Sequence, residues 1–198
     1  MKKALKDLEF LEFLKNSGCD YTKLEKLGKG GRGTAYYFFD ENSGIKKVLK
    51  ETLSEDEHEF AIIQKQDCFP NFAQIYGTAK NAKYYYIIQE YINLVGKFDI
   101  PNIYERLSDA IYYGFKIYDE MEYHEVDFSI IKKAAQTCYF PDIDNMEFLF
   151  NYIIILAKRM TEIGADDLSS NNLGWSEDGN TIKAFDIDRI FNFEQLKI

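Results

Sequence analysis

Apolar positions near the N-terminus recur at helical spacing. Leu5, Leu8, Leu11 (or Glu12) and Leu14 predict a short amphipathic helix over residues 2–16, with Ser17-Gly18 as its stop signal. Beyond Tyr21 the pattern shortens to strand-like runs. Thr34–Phe39 reads TAYYFF, Asp40 to Gly44 is a turn cluster, and Ile45–Glu51 is a second strand, together a hairpin. Ser54–Gln66 reads as a helix capped by Ser54, with Glu55, Asp56 and Glu57 in the first turn, where the helix dipole favours anions. Phe72–Thr78 and Tyr84–Tyr91 predict two further strands about a turn at Asn81. The expectation is a small antiparallel sheet carrying one helix.

Residues 102–163 read as mostly helical, punctuated by Pro101 and Pro141. The clearest helix is Asn145–Ile163, with Phe148, Tyr152, Ile155 and Met160 among its apolar positions. The remainder returns to short strands: Leu173–Trp175 and Thr181–Asp186 flank the turn Glu177-Asp178-Gly179-Asn180. The expected fold class is therefore α+β. A chain of 198 residues with 46% hydrophobic content is long enough to bury a real core as one domain.

Charge narrows the partners. Against 24 Lys and Arg stand 33 Asp and Glu, a net charge of −9, so neither nucleic acid nor an anionic membrane is the expected partner. Cys19, Cys68 and Cys138 are odd in number and widely spaced, which suits a reducing compartment rather than a disulfide framework. The longest apolar run, Phe148–Ala157, is too short to span a bilayer. Asp7, Glu9 and Glu12 interrupt what would be the apolar core of a Sec signal. A cytoplasmic protein, or one delivered into a host cytoplasm, is expected, with no membrane insertion.

Candidate chemistry begins at Leu27-Gly28-Lys29-Gly30-Gly31-Arg32-Gly33-Thr34-Ala35. This string contains G-x-G-x-x-G, but a strand follows it where a dinucleotide fold needs a helix, and no Gly-Lys-Ser/Thr ending follows for a P-loop. A glycine loop between two strands is the form that lies over nucleotide phosphates. One strand later, Val48-Leu49-Lys50 places a lysine where it can reach those phosphates as a point charge. Alternation puts Lys46, Val48 and Lys50 on one face and Lys47 and Leu49 on the other, with a solvated basic edge as the plainer alternative. The helix that follows offers Glu55, Glu57 and Glu59 as carboxylate partners for the lysine, and helical spacing aligns Glu55, Glu59 and Ile62.

Residues 27–91 resemble the N-lobe of the protein kinase superfamily. LGKGGRGTAY matches the glycine-rich loop and VLK the lysine strand. Cys68 to Gly77 is similar to the segment joining helix C to strand 4, and Tyr85 to Tyr91 to strand 5 running into the hinge. Counting back from Pro70 lands within one residue of Glu59, the expected helix-C glutamate. Further on, Asp167-Leu168-Ser169-Ser170-Asn171-Asn172 fits the catalytic-loop pattern D-L-x-x-x-N, and Asp186-Ile187-Asp188 stands where the family has D-F-G.

The resemblance implies a two-lobed fold: an N-terminal helix (1–20), an N-lobe (21–92) and a reduced, mostly helical C-lobe (93–198). It implies an ATP- and Mg²⁺-dependent phosphotransferase, with a protein Ser/Thr hydroxyl as the preferred acceptor. A small-molecule kinase, or a pseudokinase acting as a binding module, is the alternative. Asp167 would serve the acceptor hydroxyl, Lys50 the phosphates, and Glu59 would hold Lys50. Leu27, Gly28, Gly30, Gly31, Gly33 and Ala35 would enclose the nucleotide. Gln89 would be the gatekeeper, with backbone groups of Glu90 and Ile92 toward the adenine, and Asn172, Asp186 and Asp188 would bind metal.

Departures from the pattern are definite. Ala165-Asp166 replaces the usual His-Arg, and the D-F-G glycine is missing. The chain stops twelve residues after Asp186, so an activation segment and the helices beyond it are expected to be absent, as in minimal bacterial effector and phage kinases.

Overall fold

The computed structural model describes residues 8–94, 155–156, 159, 172–178 and 181–187. The chain divides into two compact units, Met1–Asn93 with Leu173–Arg189, and Leu94–Asn172 with Ile190–Ile198. The first contains helix α1 (Leu8–Asn16), a single 3-10 turn (Tyr21–Lys23), strands β1 (Glu25–Lys29), β2 (Gly33–Phe39) and β3 (Lys46–Thr52), and helix α2 (Glu55–Asp67). Strands β4 (Ile75–Lys80) and β5 (Tyr85–Glu90) complete an antiparallel sheet of order β1-β2-β3-β5-β4. Strand β6 (Asn93–Leu94) follows, and β7 (Leu173–Trp175) and β8 (Ile182–Ala184) form a short hairpin. The class is α+β, a five-stranded antiparallel sheet with a helix packed against it.

Strand alternation gives the sheet two different faces. On the back face Phe38, Leu49, Tyr86 and Ile88 meet Phe10 and Leu14 of α1. Tyr86, Leu14, Leu49 and Ile88 are fully buried, each contributing roughly 1.5–3 kcal/mol by apolar burial. The stripe that α1 buries is Phe10 and Leu14, flanked by Phe13, so of the expected leucines Leu14 is buried, whereas Leu8 is 81% exposed. Phe13 comes close because β4 carries Gly77, where a Cβ would approach the Phe13 ring to 2.9 Å. On the front face α2 sets Ala61 against Ile75 and Ile87.

Both ends of α2 are capped. Ser54 accepts the Glu57 N–H at 3.3 Å, and Cys68, at φ 52°, closes the helix with its N–H to Gln64 O at 2.9 Å. The strand expected from Phe72 starts only at Ile75, because the preceding residues pair with β8 instead. Ala73 N–H donates to Ala184 O at 2.8 Å and Ala184 N–H to Asn71 O at 2.9 Å. This ties the strand that ends near Asp186 to the exit from α2.

In the second unit Ile155, Leu156 and Arg159 are helical and Leu156 is fully buried, inside the helix expected over 145–163, whose other residues lie outside the described set. Residues 102–144, read as mostly helical, also lie outside it. Among the described residues no helix is long and apolar enough to cross a membrane. Cys19 and Cys68 are free thiols, and burial, with Asp20 and Asp40 nearby, pushes the Cys19 thiol up to about 12.

Candidate functional site: a lysine between two carboxylates

The glycine string folds as a β-turn between β1 and β2. Gly30 N–H donates to Gly33 O at 3.0 Å, and a bulge between Lys26 and Gly28 interrupts the register. Its glycines differ in what they require. A Cβ on Gly33 would run into the backbone carbonyl of Glu51, so close strand packing demands glycine there. At Gly28, Gly30 and Gly31 a Cβ would meet nothing within 4 Å, and none has a positive φ that only glycine favours. Packing within the described structure therefore does not account for those three glycines. Leu27 is half exposed on β1, and Ala35 pairs directly with Lys50.

Lys50 leaves the front face of β3. Its ammonium makes ion pairs with Glu57 of α2 and with Asp186, which follows β8. The lysine and Glu57 side chains are 14% and 5% exposed, and Asp186 is 48% exposed. Asp186 sits at φ 58°, the left-handed region that a non-glycine residue adopts at a cost, and this turns its carboxylate back toward the sheet. A half-exposed carboxylate beside a fixed ammonium is a hard oxygen donor of the kind Mg²⁺ takes.

Glu57, rather than Glu59, is the helix carboxylate that turns inward to Lys50. Glu59 is exposed, and so is Ile62. The buried face of α2 runs through Glu57, Phe60, Ala61 and Gln64. That spacing, i, i+3, i+4 and i+7, is as helical as the stripe through Glu55, Glu59 and Ile62, and packing on Ile75 and Ile87 separates the two. Gln64 anchors the same face with its amide donating to Phe69 O at 3.0 Å and Ala73 O at 3.3 Å.

Gln89 is 8% exposed and lines a pocket with Glu57, Ile75, Ile87, Phe185 and Asp186, all within the first unit. Glu90 is more committed than its expected role toward adenine requires. Its N–H donates to Gln74 O at 2.8 Å, while its carboxylate accepts the Gln74 N–H at 3.1 Å and pairs with Lys183 of β8 at 2.6 Å. Ile92 is buried, and its side chain closes on Gly174, where a Cβ would collide with it.

Asp167 and Asp188 lie outside the described residues. Asn172 is half-buried and immediately precedes β7, in the second unit. Among the described residues no group of three or more His, Cys, Asp or Glu side chains gathers as a metal centre.

No protein-family model matches the chain. No curated protein matches it either. Among solved structures the chain is similar to the crystal structure of Rad53 1–466 in complex with AMP-PNP, with a TM-score of 0.47 and 12% sequence identity. The match covers 83% of this chain and 37% of that one.

Proposed function

We propose that the protein is a Mg²⁺- and ATP-dependent phosphotransferase of protein-kinase-like fold, with a protein Ser/Thr hydroxyl as acceptor. The observation that carries this reading is the Lys50 ammonium paired with both Glu57 and Asp186, on the strand beside the glycine turn. Positioned charge is what phosphoryl transfer needs most, because little covalent chemistry falls to the protein. In this reading Lys50 holds the α/β-phosphates, Glu57 fixes Lys50, and Gly28, Gly30 and Gly31 admit the triphosphate to backbone N–H groups. Asp186, with Asn172 and Asp188, would hold Mg²⁺, which on binding neutralises charge on the phosphates. Leu27, Ala35 and Gln89 enclose the base, and Asp167 orients the acceptor hydroxyl.

The test is incubation with Mg-ATP labelled at the γ-phosphate, comparing the protein with Lys50→Met, Asp186→Asn and Asp167→Asn. Asn keeps the shape of Asp186 and tolerates its positive φ. Label transfer that survives Lys50→Met and Asp186→Asn refutes the assignment. Nucleotide binding without transfer by the unaltered protein assigns it instead to the binding-module class.

A further inference from the structure

His58 follows Glu57 on α2 and has no part in the reaction proposed above. Its side chain is buried, with the residue 8% exposed, and Nε2 has no hydrogen-bond partner among the described residues. The imidazole lies on the Tyr85 ring, centroids 4.9 Å apart and planes at 38°. Around it stand the Tyr85 hydroxyl on β5, which hydrogen-bonds Glu55, the Lys80 ammonium on β4, and Glu55 and Glu59 on its own helix. Lys50 on β3 is engaged by the neighbouring Glu57. Burial, and then Lys80, hold the imidazole below its ordinary range, and the two glutamates only partly oppose this.

A neutral ring suits this site, since an unprotonated nitrogen needs no acceptor. An imidazolium does not, because it puts an N–H where nothing accepts it, beside an ammonium. Glu55, three residues back on the same helix, is the carboxylate that helical spacing brings alongside, and it is already engaged by the Tyr85 hydroxyl. His58 and Glu57 are consecutive on one helix, so a shift of α2 that frees the ring also moves the Lys50 partner.

We propose that His58 is a proton-operated catch on α2: protonation releases the helix from β5 and loosens the Glu57–Lys50 pair, switching the lysine site off in acid. Its consequence for nucleotide rests on the phosphotransferase reading; the coupling of His58 to the ion pair does not. The sign follows from linkage. A folded-state pKa below the unfolded value of about 6.5 means the neutral ring supports the closed arrangement above that pH. That support is lost as pH falls from there through the folded value.

The chain has two histidines, so imidazole resonances can be followed individually by NMR. His58, assigned by its loss in His58→Phe, is expected to titrate below the ordinary range. Glu57→Gln is expected to move that midpoint upward, because reciprocal coupling requires the open helix to accept the proton more readily. Simple removal of a nearby negative charge would move it downward, so an unchanged or lowered midpoint overturns the proposal. Should Glu57→Gln not fold, affinity for a fluorescent ATP analogue with Mg²⁺ decides. It is expected to fall in the unaltered protein below about pH 6.5 and to stay level in His58→Phe, by about tenfold for each unit of coupled pKa shift. Parallel profiles overturn the catch. If no nucleotide binds at any pH, the phosphotransferase reading fails, and melting temperature against pH replaces affinity: a fall in acid that is absent from His58→Phe supports the catch, and parallel curves overturn it.

Discussion

Lys47 and Lys50 lie three residues apart on one strand, on opposite faces of the sheet, and each meets buried carboxylate. On the back face the Lys47 ammonium pairs with Asp40 at 2.6 Å, the two side chains being 9% and 6% exposed. Asp40 also accepts the Ser43 hydroxyl at 2.6 Å and the Asn42 N–H at 2.9 Å, and Lys47 lies over the Tyr76 ring at 4.3 Å. Three donors therefore converge on the Asp40 carboxylate, and the pair closes the β2–β3 hairpin. On the front face Lys50 joins one buried carboxylate to one half open to water. On the phosphotransferase reading the difference separates the two lysines: enclosure makes Lys47 a joint, whereas an opening beside a fixed charge makes Lys50 part of a site.

The sharpest break of this comparison exchanges the fates of the two lysines. Lys47→Met leaves Asp40 buried without its cation and is expected to cost about 3–5 kcal/mol in urea unfolding, with phosphotransfer per folded molecule unchanged. Lys50→Met is expected to lower phosphotransfer by about 10²–10³-fold at matched folded fraction. If Lys47→Met removes transfer while leaving stability intact, the two roles have been assigned the wrong way round.

Acid separates the faces next. Burial works against charge on Asp40, but the Lys47 ammonium, the Ser43 hydroxyl and the Asn42 N–H hold its carboxyl well below the usual carboxylate range. A folded pKa depressed below 3.8 contributes stability that is fully present above that value and lost as pH falls further. Unfolding free energy measured below about pH 4 is therefore expected to fall less steeply in Lys47→Met than in the unaltered protein.

The legible parts of the sequence were those where local rules and tertiary packing agree. Ser54 with its acidic first turn announced α2, and the β-prone residues of TAYYFF announced β2, because caps and strand propensity act over a few residues. The Glu57 role was missed because the stripe through Glu55, Glu59 and Ile62 is equally helical; which stripe is buried depends on Ile75 and Ile87, far along the chain. Lys46-Lys47 looked like a solvated edge and Asp40 like a turn residue. That Lys47 and Asp40 bury each other depends on Gly18 and Cys19 closing on Asp40 and on the Tyr76 ring beneath Lys47, which strand alternation does not reveal.

The glycines give a smaller and finer contrast. Gly33→Ala pushes a Cβ against the Glu51 carbonyl oxygen and is expected to cost about 1–3 kcal/mol in thermal unfolding. Gly30→Ala and Gly31→Ala enter open space, so stability should stay within about 0.5 kcal/mol while affinity for Mg-ATP weakens. A loss of stability without loss of affinity at Gly30 and Gly31 would show that their glycines serve the fold.

The smallest test lies on the back face. Tyr86 is fully buried, its ring 4.1 Å from that of Phe10, and its hydroxyl accepts the Asn81 amide at 3.0 Å across the β4–β5 turn. Tyr86→Phe keeps the ring and its stacking and removes that acceptor, an expected loss of about 0.5–1.5 kcal/mol in chemical unfolding. Ile87 and Gln89, its neighbours on the strand, line the front pocket, but Tyr86 points away from them. Nucleotide affinity should therefore not change. A shift in affinity from this single hydroxyl would mean that the two faces are coupled through β5, and that the division between joint and site does not follow the plane of the sheet.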